Sequence, residues 1–253
     1  PNNPSFFNVL GMAKGQAGDL PGAKAAFEQA VKLNDAFVAP KINLARIEIA
    51  NKAYDAAAVR LAAILKVNEK NTEAMGEMAV LSERRGQPAE AQRWLEKAND
   101  LAGPKEVQWG LALSDFHLRH DRPAQALEAI KKVSGKLPND LGVLMAYAKA
   151  QIANRDMAGG KSTLTSATRV ADYNPIPQVQ IALLQLSANN MPGAAYSLEK
   201  ALSTQPDFLP AQALMTEVEL RQGDAAKAEK RARDIVVKHP KRAIGHSLLG
   251  DIA

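Results

Sequence analysis

The chain has no cysteine in its 253 residues, which removes disulfides, thiolate metal sites and cysteine nucleophiles together. Aromatic residues make up only 5%, whereas alanine is abundant. That balance favours helices packed through small side chains over a sheet, which draws on β-branched and aromatic residues. No apolar run approaches the ~18 residues a membrane span requires. There is no signal-peptide pattern, and the first residue is Pro1 rather than methionine; we expect the chain to be a piece of something longer. The motifs G-x-S-x-G and H-E-x-x-H are also missing, so nothing announces hydrolase or zinc-protease chemistry.

Charge of one sign is scarce except in one place. The net charge is +5, and the segment from Arg221 to Arg242 carries eight Lys or Arg against three acids, an excess equal to that of the whole chain. Lys227, Lys230, Arg231, Lys238, Lys241 and Arg242 are its candidate binding residues. A solvated helix face explains most such runs; the functional alternative is an anionic partner such as a polysaccharide. Nucleic acid is not expected, because no aromatic side chains are interleaved for base stacking.

What is present is a repeat. Small residues recur at Ala23, Ala57, Ala91, Ala126, Gly160, Ala194 and Ala228, with spacings of 34 or 35. Phe27, Leu61, Leu95, Ile130, Leu164, Leu198 and Ala232 follow four later. Ala30, Ile64, Ala98, Val133, Ala167, Ala201 and Ile235 lie three beyond those. A second small ladder runs Gly11, Ala45, Ala79, Ser114, Ala148, Ala182, Thr216 and Gly250. Small residues where helix axes cross let backbones approach, and the larger apolar ones fill the grooves beside them. Gly18, Gly86, Asn189 and Gly223 fall where left-handed turn angles are wanted. Pro21, Pro88, Pro123 and Pro192 fall at the first turn of each second helix, where a missing N–H costs nothing.

This pattern resembles the tetratricopeptide repeat (TPR), a pair of antiparallel helices A and B. The first unit keeps the family's Phe7, Leu10, Gly11, Ala23, Phe27 and Ala30, and the terminal proline survives as Pro138, Pro206 and Pro240. The resemblance implies an all-α, right-handed α-solenoid of tandem TPR helix-turn-helix repeats without strands, a single domain over residues 1–253. Units are expected near 4–37, 38–71, 72–106, 107–140, 141–174, 175–208 and 209–242, with a partial unit at 243–253.

The register disposes of two apparent sites. Gly160-Lys161-Ser162 copies the tail of a phosphate-binding loop, but Arg155 stands where its first glycine belongs and a helix, not a strand, leads into it. Gly160 is instead a crossing residue of the fifth unit. His117 and His120 have i, i+3 spacing that could hold a metal, but no third ligand accompanies them, and we expect a solvated helix end beside Asp121. Trp94 and Trp109 fall on core positions. No enzyme activity, metal or cofactor is expected.

In TPR proteins a partner protein or peptide lies along the concave face, which the A helices line. The corresponding residues here are Asn8, Met12, Asn43, Arg46, Glu73, Glu77, Asp115, Arg119, Lys149, Gln180, Glu217 and Arg221. Family members that clamp a terminal carboxylate use Lys and Asn, then Asn, then Lys and Arg in successive repeats. Asn43 matches, but Glu73 and Glu77 occupy the third repeat's cationic positions and would repel a carboxylate. The wording of "GDLPGAKAAFEQAVKLNDAFVAPKINLARIEIANKAYDAAAVRLAAILKVNEK" and of "QPDFLPAQALMTEVELRQGDAAKAEKRARDIVVKHPKRAIGHSLLGDIA" is similar to the TPR lipoproteins of the PEP-CTERM/exosortase system. That resemblance implies a scaffold for protein sorting or exopolysaccharide export, periplasmic or envelope-associated in a Gram-negative bacterium. Any membrane attachment would come through an anchor outside this sequence. The alternatives are a soluble peptide-binding adaptor of a pilus or secretion assembly, and a regulatory module of an associated enzyme.

Overall fold

The computed structural model describes residues 2–103 and 105–252. Among these are fifteen α-helices and no strand. The A helices are α1 (Pro4–Gln16), α3 (Val38–Ala50), α5 (Thr72–Arg84), α7 (Gln108–Arg119), α9 (Leu141–Ala153), α11 (Pro175–Ser187), α13 (Leu209–Arg221) and α15 (Ile244–Ile252). The B helices are α2 (Leu20–Leu33), α4 (Tyr54–Val67), α6 (Pro88–Leu101), α8 (Pro123–Ser134), α10 (Met157–Ala171), α12 (Met191–Thr204) and α14 (Ala225–Lys238). Every A helix begins within one residue of the position the ladders predict. The all-α class and the tandem helix pairs are those the sequence implies.

Local chemistry sets the helix starts. Asp19, Asn71, Asp140, Asp156 and Asn190 each accept a hydrogen bond from the backbone N–H three residues on, capping α2, α5, α9, α10 and α12. Such a cap satisfies one of the orphan donors at a helix start. The prolines at 21, 88, 123 and 192 sit in the first two positions of their helices, as expected.

Each A–B turn contains one residue with positive φ. Gly18, Gly86 and Gly223 take 83°, 72° and 86°, and Asn189 takes 53°. Lys52, Asp121 and Arg155 adopt the same conformation at the same repeat position, which the sequence did not flag. The constraint belongs to the hairpin, and a non-glycine residue accepts it there at a cost of about 1 kcal/mol or more.

Contacts divide the chain into two units, residues 1–113 and 114–253, with the division inside α7. In the first, Ile42, Ala45 and Ile49 of α3 pack with Ala57, Leu61 and Ile64 of α4 and with Ala74 and Leu81 of α5. Gly11 lies so close to Phe27 that a β-carbon there would stand 2.5 Å from the ring, and one at Gly76 would stand 2.1 Å from Trp109. Trp109 is therefore packing, as its repeat position implies. In the second unit, α9, α10 and α11 share Leu144, Ala148, Leu164, Ala167 and Ile181. Ala182, Ala194, Leu198, Ala211, Met215 and Val218 continue the arrangement through α13. The first three ladders are buried throughout. The fourth is buried as far as Thr216, while Gly250 is exposed.

In the terminal helix Leu249 and Ile252 are half-buried, and Ile244 is the more exposed side chain. Gly245 brings α15 against Val236 and Ile235, which turns the helix and covers part of its apolar face.

The crossing alanines carry a direct test. Ala57 and Ala194 have no exposed surface, so Ala57→Leu or Ala194→Leu must push helix axes apart. Each should destabilise its unit by about 1–3 kcal/mol through overpacking, read as a lowered denaturant midpoint. Midpoints equal to wild type would show that the helices do not cross at these residues.

Candidate functional site

On the solvent-facing side of the first unit's A helices, side chains join across repeats. Asn8 on α1 donates to Met12 Sδ and accepts from Asn43 Nδ2 of α3 at 3.2 Å. Asn43 accepts in turn from Arg46, one turn along α3. Arg46 then reaches α5, with Nε 2.6 Å from Glu77 and Nη2 3.0 Å from Glu73. Burial alone would lower the Arg46 pKa, but the two carboxylates hold it above its ordinary value. Six of the expected residues thus form one bonded line over three helices. Asn8 is a correction, because it is buried and its amide is committed to its neighbours. The two acids that would repel a carboxylate share a single guanidinium, leaving the cluster one negative charge in excess. Tyr54, Val80 and Arg84 border a groove beside Arg46 and Glu77.

The second unit repeats the device. Asp115 on α7 accepts from Arg119 at 3.0 Å and from Lys149 of α9 at 3.3 Å. Burial would raise the Asp115 pKa, but these two cations hold it below the usual carboxylate value. Glu217 pairs with Arg221 along α13, and Gln180 is exposed on α11. The structure therefore groups Asp115, Arg119 and Lys149 and leaves Gln180 apart from that cluster.

A second polar pattern went unnoticed in the sequence although it has the same period. The eleventh residue of each unit is Lys14, Glu48, Ser82, His117, Gln151, Gln185 or Glu219, all polar. In at least five of the seven, this side chain reaches from helix A to the start or the second turn of helix B. Lys14, Gln151 and Gln185 bond the capping residues Asp19, Asp156 and Asn190. Glu48 takes a forked pair of bonds from Arg60, and Glu219 one from Arg231. Gln151 also accepts from Thr163 at 2.7 Å. Each clasp closes a hairpin from within.

That pattern corrects the basic segment. Arg231 is withdrawn from the surface cations because it is forked onto Glu219 and bonded to Gln212. Lys238 lies 2.5 Å from Asp207, and Lys227 lies 2.8 Å from Asp224. Asp207 and Glu219 stand outside the segment in sequence and are brought to it by the hairpin and the preceding turn. Lys230, Lys241 and Arg242 remain as cations without a side-chain ion pair among the described residues.

His117 is corrected too. It is buried rather than solvated, its ring packed edge-on to Phe116, while the His120 ring lies 4.4 Å from the same phenyl. The pair is part of the packing at the end of α7. No cluster of three or more metal-ligating residues occurs among the described residues. Gly160 lies buried inside α10, with Ile152 against it, so the Gly-Lys-Ser sequence forms no loop.

Tandem antiparallel helix pairs crossing at small residues define an α-solenoid repeat protein. The tetratricopeptide-repeat family model matches residues 16–71 and 185–252, and the tandem helix pairs are those of that repeat. No curated protein matches the sequence. Yeast Tom70 superposes with a TM-score of 0.63 at 18% identity, covering 91% of this chain and 49% of that one. PilW, a type IV pilus biogenesis factor, gives 0.60 at 17% identity, covering 83% and 96%. YrrB, described as a TPR protein with an unusual peptide-binding site, gives 0.50 at 18%, covering 74% and 95%. At these identities the likeness is one of fold.

Two measurements follow from the electrostatics. Glu219 and Arg231 are mostly buried, so Glu219→Ala should cost about 1–3 kcal/mol by stranding the guanidinium. A double-mutant cycle with Arg231→Ala should return a favourable coupling energy, and additive losses would exclude the clasp. Asp115 titrates below its unfolded value, so its stabilising contribution is complete above that value and vanishes as pH falls through the native one. An NMR titration should place its carboxyl below an unfolded reference peptide, and Lys149→Ala should raise it.

Proposed function

We propose that this chain is a non-catalytic protein-interaction scaffold of the bacterial envelope, holding a peptide segment of its partner along the A helices. The observation that carries the reading is the line Asn8–Asn43–Arg46–Glu73/Glu77. The packing ladders do not need these side chains, yet they are bonded to one another across three repeats and face solvent from Arg46 onward. Groups held in place before a partner arrives lose less freedom on binding. Glu73 and Glu77 offer acceptors to a partner's Lys or Arg, while Lys52 and Arg84 line the groove beside them and offer cations to its acids.

The envelope assignment draws on the resemblance of the repeat wording to the lipoproteins of the PEP-CTERM/exosortase system. In that setting the scaffold serves protein sorting or exopolysaccharide export from the periplasmic side. Contact with an anionic polysaccharide falls to Lys230, Lys241 and Arg242, the cations left without an acid.

Crosslinking from an envelope fraction of the source cell tests both parts. Wild type should capture a discrete protein partner, and Glu73→Lys with Glu77→Lys should abolish capture while leaving the helical spectrum unchanged. Capture that survives the charge reversal would remove the A-helix line as the binding surface. Partners found only among cytoplasmic proteins would remove the envelope role.

A further inference from the structure

The left-handed residues of the A–B turns follow the repeat, but Asp172, with φ of 50°, does not. It ends α10, a B helix of fifteen residues where its counterparts have twelve or fourteen. Three side-chain bonds pin the loop that follows. Gln178 donates to the carbonyls of Thr168 and Asp172, and Thr204 donates to that of Tyr173. A strained residue held by this many bonds presents something. Here it presents Tyr173, half of whose surface faces solvent.

Tyr173 completes a patch with α10 and α12. The Lys200 ammonium lies 4.6 Å from the Tyr173 ring centre and 5.9 Å from that of Tyr196, and 3.8 Å from Asp172. Cation–π attraction and the ion pair hold this lysine mostly buried, which fixes the two rings relative to each other. Beside it a groove between α10 and α12 is lined by Thr165, Ser166, Arg169, Tyr196 and Lys200, with no acid in the lining. Arg169 is exposed and has no side-chain partner among the described residues. Two of the four tyrosines in the chain therefore stand exposed around Lys200, and one of them, Tyr196, shares its groove with the free guanidinium of Arg169.

We propose that this groove on the B helices is a second docking surface, which takes an acidic, apolar peptide segment of a protein partner. The occupant's carboxylate meets Arg169 as a forked pair, and its apolar side chain lies on Tyr196 and Tyr173. Tyr and Arg are the residue types that protein interfaces concentrate and that carry most of their energy. The Lys200 charge is already answered by Asp172 and the rings, leaving one cation to match one carboxylate. An acidic polysaccharide, with charge repeated along its length, would call for a row of free cations.

This surface lies on different helices from the A-helix line, so the two readings stand or fall separately. The test is fluorescence anisotropy at low salt with a labelled peptide of four Glu-Leu-Pro triplets, its Lys-Leu-Pro counterpart, and labelled polygalacturonate. The acidic peptide should bind and the basic one should not. Arg169→Glu and Tyr196→Ala should each weaken binding about tenfold or more, whereas Arg46→Glu on the A-helix line should leave it unchanged. Both substituted side chains are exposed, so helical spectra should match wild type. The proposal is overturned if the acidic peptide does not bind, or if it binds the groove variants as well as wild type. It is equally overturned if polygalacturonate binds more tightly than the peptide and is lost in the same variants, which would make this a saccharide site.

Discussion

The structure depends on how closely helix backbones approach one another. At Ala23, Ala57, Ala91, Ala126, Ala194 and Ala228 the side chain has no exposed surface, and at Gly11, Gly76 and Gly160 even a β-carbon would collide with a neighbour. Interiors are packed to crystal-like density, so a single added methylene at such a crossing propagates as a helix shift. The small residues set the axis separation. The larger ones, Phe27, Leu61, Ile130, Leu164 and Leu198, fill the grooves which that separation creates. With this division of labour a chain poor in aromatics can build its cores from alanine and aliphatic residues.

Because packing is carried by the ladders, the remaining helix surface is free to carry polar chemistry, and it does so in two distinct ways. In at least five of the hairpins the eleventh residue clasps helix B or its cap, through an ion pair in the first, second and seventh units and through neutral amides in the fifth and sixth. Where the clasp is a buried ion pair it adds little net stability, since burying charge costs nearly what pairing returns, but removing one partner strands the other. On the solvent-facing side of the A helices, Arg46 and Asp115 each bind residues one repeat away. Those bonds order side chains between repeats without joining the core.

Electrostatics also explains why the basic segment is less of a site than its composition implies. A net charge computed along the sequence assigns each cation to its chain neighbours. The fold assigns Arg231 to Glu219 and Lys238 to Asp207, acids outside the counted stretch. The cation with no answering acid that matters most for recognition is instead Arg169, in a stretch with no unusual charge at all.

The sequence by itself determined the repeat, its register, the A-helix starts within a residue and the burial of the first three ladders, because helix pairing at fixed spacing is a local periodic constraint. It also placed Gly18, Gly86, Asn189 and Gly223 in left-handed turns. It did not reveal that Lys52, Asp121 and Arg155 share that conformation, since nothing in their side chains asks for it and the hairpin alone imposes it. His117 looked solvated because Arg119, His120 and Asp121 follow it at the helix end, but its place on α7 turns it inward and buries it. The polar residue at position eleven has the period of the ladders and was legible in principle, but among apolar ladders a polar position reads as surface. Which charges meet, and which tyrosines gather around Lys200 beside Arg169, only the tertiary structure decided, because those contacts join residues whose separation in space is set by helix packing.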